Sequence, residues 1–147
     1  MTEKEIKEVQ AILWSYRDMR ERALMAKRAL EEIEATIDSI SIDYAKDRVT
    51  SSPVSPDRIG DLIDKLSALR REYIEQAHEF VDVANEVRRL INGVSDPRFH
   101  ELLCRRYLFN QRWERIAVDM GYDFRYILKL HVRALEQVYR QIGGHKR

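Results

Sequence analysis

Cysteine, proline and glycine are scarce in this chain, which carries one Cys, three Pro and five Gly in 147 residues. A single Cys104 excludes an intrachain disulfide framework and reads as a buried apolar helix residue. The four His residues are scattered, and neither CxxC nor HxxxH spacing occurs, so no metal and no cofactor is expected. G-x-S-x-G, H-E-x-x-H, a Walker loop and a dinucleotide fingerprint are all missing. Carboxylates such as Glu31, Glu32 and Glu34 have the pattern of solvated helix flanks. No catalytic residue is therefore nominated, and a function other than catalysis is expected. No apolar run approaches the roughly 18 residues of a membrane span, and the amino terminus MTEKEIKEVQ has no signal-peptide core, which predicts a soluble intracellular protein without a membrane partner.

What remains is rich in charge. Charged residues make up 35% and apolar residues 44%, the profile of a helical or coiled-coil protein. The formal net charge of +1 hides an asymmetry. Residues 1–95 carry 15 Lys+Arg against 19 Asp+Glu, a balance of −4, while 96–147 carry 11 against 6, a balance of +5, and the two sum to +1. The basic third is where a polyanion would bind.

Scarcity of helix breakers shapes the organisation. Thr2 and Glu5 form a capping box, after which apolar residues recur at steps of three and four: Val9, Ile12, Tyr16, Met19, Ala23, Ala26, Leu30, Ile33, Ile37, Ile40. This seam predicts one helix from about Glu3 to Asp43. The stretch SIDYAKDRVTSSPVS, 41–55, collects Ser, Thr, Asp and Pro53 and predicts the longest connection, with Ser55 and Pro56 as N-cap and N1 of the next helix. A second seam runs through Ile59, Leu62, Leu66, Leu69, Tyr73, Gln76, Phe80, Val83, Val87 and Leu90 to Gly93, a predicted C′ residue. Gln76 either fixes register or reaches solvent. Two seams joined by one loop predict an antiparallel coiled-coil hairpin over 1–94. Leu13, Leu24, Met25, Ile63, Ile74 and Ile91 lie off both seams, which predicts a homo-oligomer that buries them, the alternative being that they cover the terminal domain within one monomer.

Beyond Gly93 the rhythm changes. Asp96-Pro97 opens a helix to about Phe109, Asn110 and Gln111 end it, a short helix follows near Arg112 to Met120, and a longer one runs from Phe124 to about Ile142, closed by Gly143-Gly144. Within this domain, 95–147, the segment WERIAVDMGYDFRYILKLHV (113–132) meets the requirements of a helix-turn-helix. Ala117 is small where two helices touch, Gly121 suits a left-handed turn, Ile127 and Leu130 hold the second helix, Ile116 and Met120 complete the first helix's buried face, and Asp123 is placed to cap. The overall expectation is all-α: a long hairpin followed by a helix-turn-helix domain.

In such a motif the second helix enters the major groove of double-stranded DNA, presenting Phe124, Arg125, Leu128, Lys129 and Val132. Arg125 and Lys129 lie four apart and are the base-reading candidates, because Arg and Lys can engage guanine O6 and N7. Arg133, Arg112 and Arg115 are placed for phosphates. Phe124 and Leu128 either meet a thymine methyl or pack on a partner protein. Tyr126 either donates its hydroxyl to a phosphate or packs. Trp14, Tyr107 and Trp113 read as core.

These residues also carry a resemblance. MGYDFRYILKLHVRALEQV resembles the carboxy-terminal helix-turn-helix of bacterial sigma factors in its Gly121 turn, central Ile127 and following Ala134-Leu135. More of the chain, about Lys46 to Arg140, is similar to phage and prophage late-operon transcription regulators, which carry RY-x-x-x-x-x-W-E-x-I-A-x-x-x-G-Y, here Arg106-Tyr107, Trp113-Glu114, Ile116-Ala117 and Gly121-Tyr122, and a loop like 48–53. The resemblance implies sequence-specific transcription regulation in the cytoplasm of a bacterial host, with RNA polymerase as a possible partner of the hairpin. Phe124 and Leu128 stand where sigma-type modules place polar residues, and no promoter-opening region is present. A small-terminase-like packaging factor and a coiled-coil adaptor that binds no DNA are the rival readings.

Overall fold

A computed structural model describes residues 1–46 and 56–145, all-helical with no strand among them. Helix α1 spans Glu3–Lys46, α2 Pro56–Asn92, α3 Pro97–Leu103, α4 Trp113–Met120 and α5 Phe124–His145; a π-helical turn, Cys104–Leu108, extends α3. The connection 47–55, with Ser55 and the loop at 48–53, lies outside the described residues, as do Lys146 and Arg147.

The start of α1 follows from local chemistry. Thr2 N–H donates to Glu5 Oε2 at 3.0 Å and Glu5 N–H to Thr2 Oγ1 at 3.2 Å, so the capping box satisfies donors that a bare helix end would leave open. Helix α2 opens at Pro56, the N1 position the sequence assigns to it. At α3 the Asp96 side chain accepts from Arg98 N–H at 2.9 Å, with Pro97 as the first helical residue.

The chain divides into two compact units, residues 1–19 with 80–147, and residues 20–79. This differs from the division at residue 95, because both ends of the predicted hairpin belong to the same core as the terminal helices. That core joins Val9, Leu13 and Tyr16 of α1 with Ala84, Val87, Leu90 and Ile91 of α2 and with Leu102, Tyr107, Ile116, Ile127, Leu130, Leu135 and Val138. Tyr16 lies 5.3 Å, centroid to centroid, from Phe80, and Arg88 donates to its hydroxyl at 3.4 Å, so this part of α1 sits against the later turns of α2. Leu13 and Ile91, expected off-seam and free to face a partner, are instead fully buried here. Each contributes about 1.5–3 kcal/mol through burial within the monomer.

In the second unit, Ala23 and Ala26 are buried, while Leu30, Ile33, Ile37, Leu62, Leu66 and Leu69 are half-buried at their seam positions. Arg22, Met25, Ala26 and Ala29 share a groove with Glu72 and Gln76. Leu24, Met25, Ile63 and Ile74 remain exposed. Gln76 is half-buried, and its Oε1 has no partner among the described residues.

Three glycines behave differently from expectation. Gly93 does not have a positive φ. A Cβ there would meet the end of the Gln141 side chain, whose amide donates to Leu90 O at 2.8 Å, so Gly93 is packed by Gln141 and is not a left-handed cap. Gly143-Gly144 does not end α5, which continues to His145. Two glycines cost a helix about 1 kcal/mol each relative to Ala, an amount that packing of Tyr139 and Ile142 against the core can offset.

Candidate nucleic-acid interface

The α4–turn–α5 segment is built by its backbone. Gly121 ends α4 with φ 72° and ψ 30°, and Tyr122 N–H donates to Ala117 O at 3.0 Å. Space is not the constraint, since nothing lies within 4 Å of a Cβ at this position; the left-handed backbone is. Gly121→Val is expected to destabilise the fold by at least about 1 kcal/mol, measured by thermal or urea unfolding. Unchanged stability would place the critical turn elsewhere. Helix α5 opens at Asp123, whose carbonyl accepts from Ile127 N–H at 3.0 Å.

One face of α5 is fully buried through Ile127, Leu130, Ala134, Leu135 and Val138. Its opposite face presents two adjacent columns at helical spacing: Phe124, Leu128 and Val132, and beside them Arg125, Lys129 and Arg133. The apolar column is 39%, 36% and 43% exposed, and the three cations are exposed and form no ion pair among the described residues. The remaining predicted positions are differently placed. Arg112 is exposed at the N-cap of α4. Arg115 is engaged by Asp119 at 3.0 Å, and Arg105 binds the same carboxylate oxygen at 3.1 Å, so Arg115 is less available to a phosphate than its exposure implies.

Tyr126 packs, and its hydroxyl has a partner within the protein. Its ring is half-buried and meets Tyr122 edge-on at 5.2 Å, while its hydroxyl oxygen accepts from Arg98 Nη1 at 3.0 Å. Arg98, which the linear pattern did not single out, is held by Asp96 at 2.9 Å. Hydrogen bonding from Arg98 holds the Asp96 carboxyl below the usual range and raises the Arg98 guanidinium. Its only signal in the sequence is the Asp-Pro-Arg helix start.

Behind this face lies a buried polar centre. His131 projects from the buried side of α5, and its Nε2 is 2.6 Å from the Tyr107 hydroxyl. Gln10 of α1 donates to the same hydroxyl at 3.4 Å, which makes a buried chain Gln10–Tyr107–His131. Burial, followed by the nearby Arg106 charge, lowers His131 to about 4; burial pushes Tyr107 up to about 12. The Arg106 guanidinium stands 5.1 Å from the Trp14 ring centre and 4.5 Å from that of Trp113, and donates to Gln111 O at 2.9 Å. Trp14, Tyr107 and Trp113 thus belong to the packing around the core, as their sequence context implies. The π-helical turn carries Arg106 and Tyr107, with Phe109 N–H reaching back to Cys104 O at 3.0 Å and a left-handed Asn110 ending it. Cys104 is half-buried, and burial raises its thiol, which disfavours the reactive thiolate.

Among the described residues, no cluster of three or more His, Cys, Asp or Glu side chains could hold a metal ion, and no helix is long and apolar enough to cross a membrane. No protein-family model, no curated protein and no solved structure matches the chain.

Proposed function

We propose that the chain is a sequence-specific, double-stranded DNA-binding regulator of the phage transcription type, with α4 and α5 acting as a sigma-like helix-turn-helix. The observation that carries this reading is the exposed face of α5, where three cations that form no ion pair among the described residues and three apolar side chains stand together on a helix anchored by a continuous buried face. Duplex DNA offers the matching chemistry: phosphates for charge, and base edges in a groove that admits a helix. Arg125 and Lys129, nearer the helix start, read base edges; Arg133, Arg112 and the Tyr126 hydroxyl anchor phosphates.

The test is a binding titration of the full chain against duplexes selected from random sequence. Arg125→Ala is expected to weaken the selected duplex by about 1–3 kcal/mol and to relax preference at one base pair, whereas Arg133→Ala weakens all duplexes alike. An identical, uniform loss in both variants would dissolve the division between base reading and phosphate anchoring.

Pairing of two copies belongs to this proposal. Leu24, Met25, Ile63 and Ile74 are exposed on the unit formed by residues 20–79, as a coiled-coil hairpin with a second apolar seam would be, and a dimer would bring two α5 helices to a two-part DNA site. The partner surface for RNA polymerase would lie on the same hairpin. Light scattering is expected to show an oligomer at micromolar concentration that Ile63→Glu with Ile74→Glu shifts to monomer; a monomeric parent protein would remove pairing from the account.

The apolar column at Phe124, Leu128 and Val132 also suits a protein-binding adaptor. The cationic column beside it favours the polyanion, and a packaging factor would share the same DNA chemistry.

A further inference from the structure

The two columns on α5 differ in what they can recognise. Resting on the reading of α5 as a groove-entering helix, we propose that Phe124, Leu128 and Val132 read thymine C5-methyl groups, so that the chain's target is defined by the placement of thymines as much as by the guanines that suit Arg125 and Lys129.

The exposed apolar side chains of α5 are not scattered along it. They recur every four residues, about 6 Å apart along the helix axis, at positions 39%, 36% and 43% exposed. Bases on one strand are stacked about 3.4 Å apart, so each step of the column corresponds to roughly two base steps. Each neighbour in the cationic column, Arg125, Lys129 and Arg133, sits one residue further along and points to the adjacent side of the same face. Water is a poor occupant for such a surface, because a solvated face would have no use for three large apolar groups in line. A purely apolar protein surface is also poor, since it would bury three cations without compensation. The major groove supplies both complements within a few ångströms. Thymine is the one natural base to present a methyl group there, and phosphates flank the groove on either side. Rigidity favours the same conclusion, because Ile127, Leu130 and His131, interleaved with the column, are buried and fix its orientation.

Removing only the methyl isolates the effect. The full chain is used to select from random duplexes, and the preferred duplex is then rebuilt with deoxyuridine replacing thymidine one position at a time, which preserves pairing. The expected result is a loss of about fourfold at each contacted thymine, the worth of one buried methyl-sized group, and none at thymines outside the footprint. In Leu128→Ala, at least one of these thymine–uracil differences disappears. Equal specific affinity for the thymine and uracil duplexes would overturn the methyl reading while leaving the DNA-binding function intact. So would a difference that survives unchanged in Phe124→Ala, Leu128→Ala and Val132→Ala. Absence of any duplex affinity would overturn the function itself and the inference with it.

Discussion

Acidification from pH 7 to pH 4 is expected to remove about 3 kcal/mol of folding stability through one side chain, His131. Its folded-state value is lowered to about 4, chiefly by burial and then by Arg106, against an ordinary value of 6.5. Above pH 6.5 both the folded and the unfolded chain hold the ring neutral, and the contribution is fully present. As pH falls below 6.5 the unfolded chain takes up a proton that the folded chain refuses, so stability declines by about 1.4 kcal/mol per unit until the folded ring also titrates near 4. Protonation is costly because the charged ring would stand buried beside the Tyr107 hydroxyl, with the Arg106 charge nearby. Carboxylates add their own acid sensitivity, so the comparison is with His131→Gln, which can still hydrogen-bond Tyr107 but does not titrate. Urea unfolding at several pH values should give the parent a steeper decline than the variant between 6.5 and 4. Parallel curves would mean that His131 is open to solvent and that the Gln10–Tyr107–His131 chain is not closed.

Reversing the charge of the outer column is expected to have the largest effect on binding. On the proposed reading, Arg125→Glu with Lys129→Glu would remove two base-reading donors and place two carboxylates against the groove. Loss of the two contacts alone amounts to roughly 2–6 kcal/mol, a weakening of at least about thirtyfold before repulsion is added. Both residues are exposed and outside the core, so the melting temperature should stay close to that of the parent. Retained affinity in a normally folded double variant would move the interface off this face of α5.

How far the sequence reveals this arrangement depends on the range of the interaction involved. Features set by neighbours in the chain are legible: the Thr2–Glu5 box, the Asp96-Pro97 start, Pro56 at the head of α2 and the left-handed Gly121. The alternation of buried Ile127 and Leu130 with exposed Arg125 and Lys129 is likewise a matter of helical period. What the linear pattern misses is set by contacts across the fold. Leu13 and Ile91 look surplus to a two-helix seam, yet they are buried because the first turns of α1 and the last turns of α2 build the same core as α5. Gly93 looks like a cap, but its backbone is not left-handed, and the end of the Gln141 side chain, far along the chain, packs on it. Arg115 looks free until Asp119 and Arg105 are placed beside it. The motif Arg106-Tyr107, Trp113, Ala117 and Gly121-Tyr122 acquires a physical meaning only in three dimensions: Arg106 faces the Trp113 ring, Tyr107 is hydrogen-bonded to His131, and Tyr122 N–H closes the turn on Ala117.

The central claim, that the α5 face binds duplex DNA, is tested most directly by the salt dependence of the full chain's affinity for random-sequence duplex. Each phosphate neutralised should contribute about −0.9 to the slope of log Kobs against log salt. The account predicts a measurable affinity with a clearly negative slope, made shallower by about one unit in Arg133→Ala. No affinity at low salt, or an affinity indifferent to salt, would contradict it.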